Sequence, residues 1–251
     1  MPTFNKSLAI ASAFAGGLFI AAQAAAVPVI IQGVGDDHLA WEAEIGAITD
    51  PDADLNTWRV LADGSASGGS ALVADAEPGS GDKALDEGIV SYNLKFNTIG
   101  EYQLYLLFKT ATISDGIGLD NATGPNDNDS MFIPDKNDND GFGVIPDISS
   151  GGATGSGTSS YMWVSTGSTG RYTVTGGDLG NNLGFSFGVR EEGFVLDRVV
   201  LFNRSVATSR TADQLNALAN SEIPAPASLL LLGTGMLALA GALARRRRRA
   251  A

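Results

Sequence analysis

Residues 89–109 read IVSYNLKFNTIGEYQLYLLFK, from Ile89 to Lys109. Val90, Tyr92, Leu94 and Phe96 alternate with Ser91, Asn93 and Lys95, the period-two pattern of a strand with one buried face. Asn97-Thr98-Ile99-Gly100 has turn chemistry. Beyond it Tyr102, Leu104, Leu106 and Phe108 alternate again, so 89–109 predicts a β-hairpin. Similar strand signals recur between about 27 and 204, at 172–174, 183–189 and 194–202. No long segment carries a helical period; only 211–218 (TADQLNAL) predicts one short helix. The chain has 32 glycines, and Ser, Thr, Asn and Asp punctuate its apolar runs, which together predict an all-β sandwich with many turns.

The 251 residues suit one such domain with segments at either end. The absence of cysteine excludes a disulfide framework, a thiolate metal site and a cysteine nucleophile. His38 is the only histidine, and no nucleophile motif surrounds it, so no catalytic residue is expected. Gly151-Gly152 lies in a Ser/Thr/Gly stretch rather than between a strand and a helix, unlike a phosphate-binding loop. The formal net charge is −12. Six of the 16 basic residues lie in the terminal segments, so ten face all 28 acidic residues over roughly 25–244, a net of −18. Such a surface repels phosphate backbones, which makes nucleic acid a poor partner. It suits divalent cations with oxygen ligands, or simply keeps the protein soluble.

Both ends read as addresses. Residues 1–26 predict a signal peptide: Lys6 supplies the positive start, 8–20 (LAIASAFAGGLFI) are uncharged and apolar, and Ala22-Gln23-Ala24 and Ala24-Ala25-Ala26 fit the cleavage rule. Residues 27–205 are the predicted sandwich and 206–223 a linker. Residues 227–244 (ASLLLLGTGMLALAGALA) are uncharged and long enough for a transmembrane helix. Arg245, Arg246, Arg247, Arg248 and Arg249 follow, and such a cluster stays cytoplasmic. Pro224-Ala225-Pro226 precedes the span.

This order of a proline motif, a Leu/Gly/Ala-rich span and a terminal Arg run at 224–251 resembles the PEP-CTERM sorting signal. The middle glutamate of that motif is missing here, with Glu222 close by. The resemblance implies processing by an exosortase-type membrane enzyme after transient anchoring in the inner membrane. Delivery would be to the cell envelope or the extracellular matrix. A plain tail anchor predicts the same topology without cleavage.

Six phrases in order across the middle of the chain resemble galactose-binding-like jelly rolls, especially carbohydrate-binding modules of families 6 and 35. They are Trp41-Glu42-Ala43-Glu44, Ala66-Ser67-Gly68-Gly69-Ser70-Ala71-Leu72, Gly100-Glu101-Tyr102, Asp129-Ser130-Met131-Phe132, Tyr161-Met162-Trp163 and Gly193-Phe194-Val195-Leu196-Asp197-Arg198-Val199-Val200-Leu201. The resemblance implies a jelly-roll β-sandwich that binds polysaccharide without catalysis. The alternative is a structural surface or biofilm-matrix protein with no specific sugar ligand.

Glu42 and Glu44 stand two apart on an expected strand, so their carboxylates share a face and repel unless a cation or an arginine intervenes. The resemblance makes Glu42, Glu44 and Asp197 ligands of a structural calcium. The alternative is solvated acids, with Asp197 paired to Arg198 or Arg190. Asp50-x-Asp52-x-Asp54 has the spacing of a calcium loop, but Leu55 stands where glycine is needed, and Lys136-x-Asp138-x-Asp140-Gly141 starts on a lysine. Both read as solvated turns. Residues 111–160, with Asp115, Asp120, Asp127, Asp129 and Asp135, read as long loops.

Tyr161 and Trp163 share one strand face. The resemblance implies that Tyr161 lines a ligand cleft, that Trp163 packs inside, and that Glu191 and Glu192 in the loop before the last strand complete the site. Core or rim packing of both aromatics is the alternative. Trp41 and Trp58 are expected core anchors.

Overall fold

The computed structural model describes residues 26–49, 56–76, 88–116, 131–134, 151–152 and 159–222. Among them are thirteen strands and one α-helix, arranged as two facing sheets. The six-stranded sheet holds β1 (Val29–Ile31), β3 (Ala47–Thr49), β6 (Ile89–Lys95), β8 (Phe132–Ile133), β9 (Gly151–Gly152) and β12 (Leu183–Gly188). The seven-stranded sheet holds β2 (His38–Glu42), β4 (Asn56–Ala62), β5 (Ser70–Ala76), β7 (Gly100–Thr110), β10 (Met162–Ser165), β11 (Arg171–Val174) and β13 (Phe194–Asn203). The chain crosses repeatedly from one sheet to the other, so neither sheet is complete without both halves of the sequence.

The alternation in 89–109 is present, and it buries the residues it nominates: Val90, Tyr92, Leu94, Phe96, Tyr102, Leu104, Leu106 and Phe108 all lie in one core. The expected hairpin is not formed. β6 pairs with β1, β3 and β12, whereas β7 pairs with β10, β11 and β13. The turn instead carries the chain across the sandwich, and the two apolar rows face each other. Period-two alternation states which side chains are buried, and it is silent about which strand supplies the hydrogen bonds. Gln32 fixes the crossing: its Oε1 accepts from the backbone N–H of Asn97 (2.9 Å) and Thr98 (3.1 Å), while its Nε2 donates to Tyr102 Oη at 3.0 Å. Gly100 sits at φ 151°, and a Cβ there would lie 2.5 Å from the Asn203 amide, so no other residue fits without displacement.

Aromatic rings from both sheets fill the interior. Phe108 of β7 stacks on Phe194 of β13 with centroids 4.8 Å apart and planes 2° from parallel. Phe185 of β12 meets Trp41, Tyr172 and Phe187 edge-on. Trp41 and Trp58 are buried core residues, as expected.

The predicted short helix runs farther than its sequence signal, as α1 (Ala212–Glu222). Thr211 begins it with a reciprocal cap: the Gln214 N–H donates to Thr211 Oγ1 at 3.4 Å, and the Thr211 N–H donates to Gln214 Oε1 at 3.0 Å. Leu215 and Ala219, four apart, bury against Ala40, Tyr105, Val200 and Phe202 on the outer face of the seven-stranded sheet. Much of the stretch expected to be a linker is therefore a helix docked on the domain.

The expected signal peptide (apart from Ala26), the transmembrane span, Pro224, Pro226, the Arg245–Arg249 run and the aspartates at 50–54, 120–129 and 135–140 lie outside the described residues. Among the described residues, no helix is long and apolar enough to cross a membrane.

Candidate functional site

Two polar constellations stand out on the seven-stranded sheet. The first gathers the three acids nominated as metal ligands. β2 ends at Glu42, and Ala43–Ile45 form a 3-10 turn, so Glu44 is not on the strand as expected. The turn nevertheless brings both carboxylates to the loop between β4 and β5. A Cβ on Gly68 would stand 3.1 Å from Glu44 Oε1 and 3.8 Å from Glu42 Oε1. Asp197 reaches the same loop from β13. Ser67 joins them: its hydroxyl lies 2.6 Å from Glu42 Oε2 and 3.0 Å from Asp197 Oδ1, and its N–H donates to Asp197 Oδ2 at 3.1 Å. Glu44 accepts from Ser70 Oγ at 3.1 Å through Oε1, while its buried Oε2 has no hydrogen-bond partner.

Arg198 is the cation of this cluster. Its Nε lies 3.3 Å from Glu42 Oε1 and 2.5 Å from Ser67 Oγ, and its other arm donates to Asn220 of α1 at 2.7 Å. Its ion pair is thus with Glu42 rather than with the adjacent Asp197. One arginine among three acids leaves net negative charge in a buried place. Burial first, then repulsion from Glu42 against the opposing bonds from Ser67, pushes the Asp197 carboxyl up to about 7. Glu44 is also raised, chiefly by burial. Among the described residues, no three acidic or histidine side chains form a preassembled metal cage. Three carboxylates nevertheless converge on the loop at Ser67–Gly68, and one buried carboxylate oxygen is orphaned.

The second constellation surrounds Tyr161. The residue immediately precedes β10 and is half-buried against the cluster of Ala66, Ala71, Val73, Ala111 and Val195. Its hydroxyl donates to Asp63 Oδ2 at 2.9 Å. Lys109 Nζ lies 2.5 Å from the same oxygen and 4.8 Å from the centroid of the Tyr161 ring. Asp63 Oδ1 accepts from the Ser65 N–H and hydroxyl at 2.9 and 2.6 Å. Burial alone would raise the Asp63 carboxyl, but the bonds from Lys109, Ser65 and Tyr161 outweigh it and hold Asp63 well below the usual carboxylate range. Burial, and then the Asp63 carboxylate, push the Tyr161 phenol up.

A cavity of about 220 Å³ opens beside this corner, with Asp63, Lys109, Thr110, Asp115 and Ser159 in its wall. Glu191 and Glu192 are not among the wall residues; Glu192 is buried at 4% exposure. Trp163 does share a sheet face with Tyr161, but that is the outer face. It packs with Tyr105 and α1 rather than inside the sandwich. Asp63 and Lys109 escaped sequence reasoning because each looks like an ordinary solvated charge. They lie 46 residues apart, on the turn after β4 and near the end of β7.

Among the described residues, the fold and these sites define a two-sheet β-sandwich with a buried carboxylate cluster and a polar cavity that shares Asp63 and Lys109 with the Tyr161 corner. No family model and no curated protein matches the sequence. The chain is similar in structure to the Podospora anserina GH26-CBM35 β-(1,4)-mannanase, with a TM-score of 0.41 and 12% identity over 70% of this chain and 29% of that one. It is also similar to the C-terminal CBM6 of a marine laminarinase from Zobellia galactanivorans, with a TM-score of 0.39 and 12% identity over 66% and 99%. A third similar structure is the Arthrobacter globiformis T6 isomalto-dextranase complexed with panose, with a TM-score of 0.41 and 14% identity over 66% and 23%. The chain spans less than a third of the length of the mannanase and of the isomalto-dextranase.

Proposed function

We propose that this protein is a non-catalytic carbohydrate-binding module of jelly-roll type, exported and displayed in the cell envelope or extracellular matrix. The observation that carries the reading is the cavity on the outer sheet face, whose wall holds Asp63 and Lys109, the two groups that bond and cover the neighbouring Tyr161. Sugar sites use ring area for C–H groups and placed polar groups for hydroxyls. The order of the six sequence phrases supports it.

A structural calcium belongs to this reading. Glu42, Glu44 and Asp197 would hold it, and the ion would supply the positive charge that one arginine only partly provides. Export rests on the signal-like 1–26. Sorting by an exosortase-type enzyme rests on Pro224, Pro226 and the Arg245–Arg249 run.

The test is binding of the purified protein to a polysaccharide panel by affinity electrophoresis and calorimetry. Retardation by at least one polysaccharide, weakened in Tyr161→Ala, is expected. No retardation by any of them would leave the structural-protein alternative standing.

A further inference from the structure

We infer that the cavity recognises a neutral sugar, through the hydroxyl-binding groups of an internally neutralised Asp63–Lys109 pair, and discriminates against uronates and sulfated sugars. The inference rests on the sugar-binding reading above and names its ligand class.

The argument begins with what the Tyr161 ring can offer. Lys109 lies over it at 4.8 Å from the centroid, and the residue also packs against the apolar cluster that includes Ala71, Val73 and Val195. The open platform expected from the sequence is thus already occupied on one face. Recognition at the cavity passes to its polar wall. Asp63 and Lys109 present an acceptor and a donor side by side, 2.5 Å apart, and only 11% and 17% of their side chains are exposed. Both groups already carry internal bonds, so a sugar hydroxyl meets them only as a shared partner of the pair, not as a counter-ion. Ser159 adds a hydroxyl, and Thr110 belongs to the same wall.

Charge then decides between sugar classes. A lysine in a sugar site ordinarily invites a carboxylate or sulfate. This lysine is committed: Asp63 Oδ2 sits at 2.5 Å, and Ser65 Oγ accepts at 3.3 Å. Asp63 is itself pinned, by Tyr161 on one oxygen and Ser65 on the other, so it does not swing away to release Lys109. Among the described residues, Asp115 is the remaining charged residue in the wall; it caps the turn at Ile113–Asp115 by accepting the Thr112 N–H at 2.7 Å. The described residues of the wall therefore carry one net negative charge, in a chain that is itself strongly acidic. An anionic sugar meets repulsion here, and a neutral one does not.

The full-length protein is titrated with two polysaccharide sets at low ionic strength: neutral glucan, galactan and mannan, and anionic polygalacturonate, alginate and a sulfated galactan. The best neutral polysaccharide is expected to bind at least tenfold tighter than any anionic one. Asp63→Asn keeps the side-chain shape but frees the ammonium, and should raise affinity for the anionic set at least tenfold, a gain that 0.5 M salt removes. Lys109→Gln should weaken neutral binding severalfold without any anionic gain. Near-ultraviolet circular dichroism identifies a variant that has lost its packing, in which case the parent's own selectivity decides. Equal or tighter binding of an anionic polysaccharide by the parent overturns the inference while leaving the sugar-binding function intact. Binding to neither set overturns both.

Discussion

The indole N–H of Trp163 donates to Asn216 Oδ1 at 2.8 Å, tying β10 to α1. β10 also follows directly on Tyr161, so the candidate site and the last helix are anchored to the same short strand. Trp163→Ala should remove this bond and part of the packing under the helix. The expected cost is about 1–3 kcal/mol, less than the roughly 3–5 kcal/mol of Phe185→Ala in the closed core. Native-state proteolysis should then cut first within 207–222. Equal loss of stability in the two variants, with unchanged cleavage, would contradict the placement of Trp163 on the outer face.

Tyr161 should support sugar binding mainly through Asp63. Tyr161→Ala should lower affinity about tenfold, corresponding to about 1.4 kcal/mol. Tyr161→Phe keeps the ring and loses only the bond at 2.9 Å to Asp63, so it should lose severalfold. Calorimetry against the best-binding polysaccharide separates the cases. Full retention in Phe with loss in Ala would assign the work to ring contact instead.

Asp63 should leave a signature in acid. Its folded carboxyl titrates below the unfolded one, whose ordinary value is about 3.9. The stability it contributes is therefore complete above that value and is lost as pH falls below it. Asp63→Asn should be less stable than the parent by about 1 kcal/mol at pH 7, given solvent screening. That gap should hold down to about pH 5 and close below pH 4. Urea unfolding of both proteins from pH 3 to 7 measures it; a gap independent of pH would contradict the assignment.

Calcium should raise the melting temperature through Glu42, Glu44 and Asp197. A ligand bound only by the native state contributes about 2.7 kcal/mol at a hundredfold excess over Kd. Asp197→Asn and Glu44→Gln should each blunt the response, and chelator should reverse it in the parent. Identical melting curves with calcium and with chelator would mean that Arg198 alone balances these acids.

Processing is read by mass spectrometry of the protein recovered from the envelope. Its N-terminus should fall after Ala24 or Ala26, and its C-terminus near 224–226. Replacing Arg245–Arg249 with serine should retain the tail. An intact Met1 or an intact Arg run on the exported protein refutes the corresponding signal.

The sequence by itself determined the burial pattern, because alternation is a property of neighbouring residues. It nominated Val90, Tyr92, Leu94 and Phe96, and all four are in the core. It placed β12 and β13 closely and found α1, whose Thr211–Gln214 cap is local. It also brought Glu42, Glu44 and Asp197 to one neighbourhood, through phrases quoted from a resemblance rather than from any spacing. Only the tertiary structure decided strand partners. β6 and β7 carry the same alternation whether they pair or face each other, and the sandwich makes them face. The same limit hid the cavity. Asp63 and Lys109 meet although β13 and β5 lie between β7 and β4 in the sheet. Nothing local to either residue encodes that contact. A charged side chain reads as solvent-facing until a distant segment covers it, so the ion pair belongs to the fold.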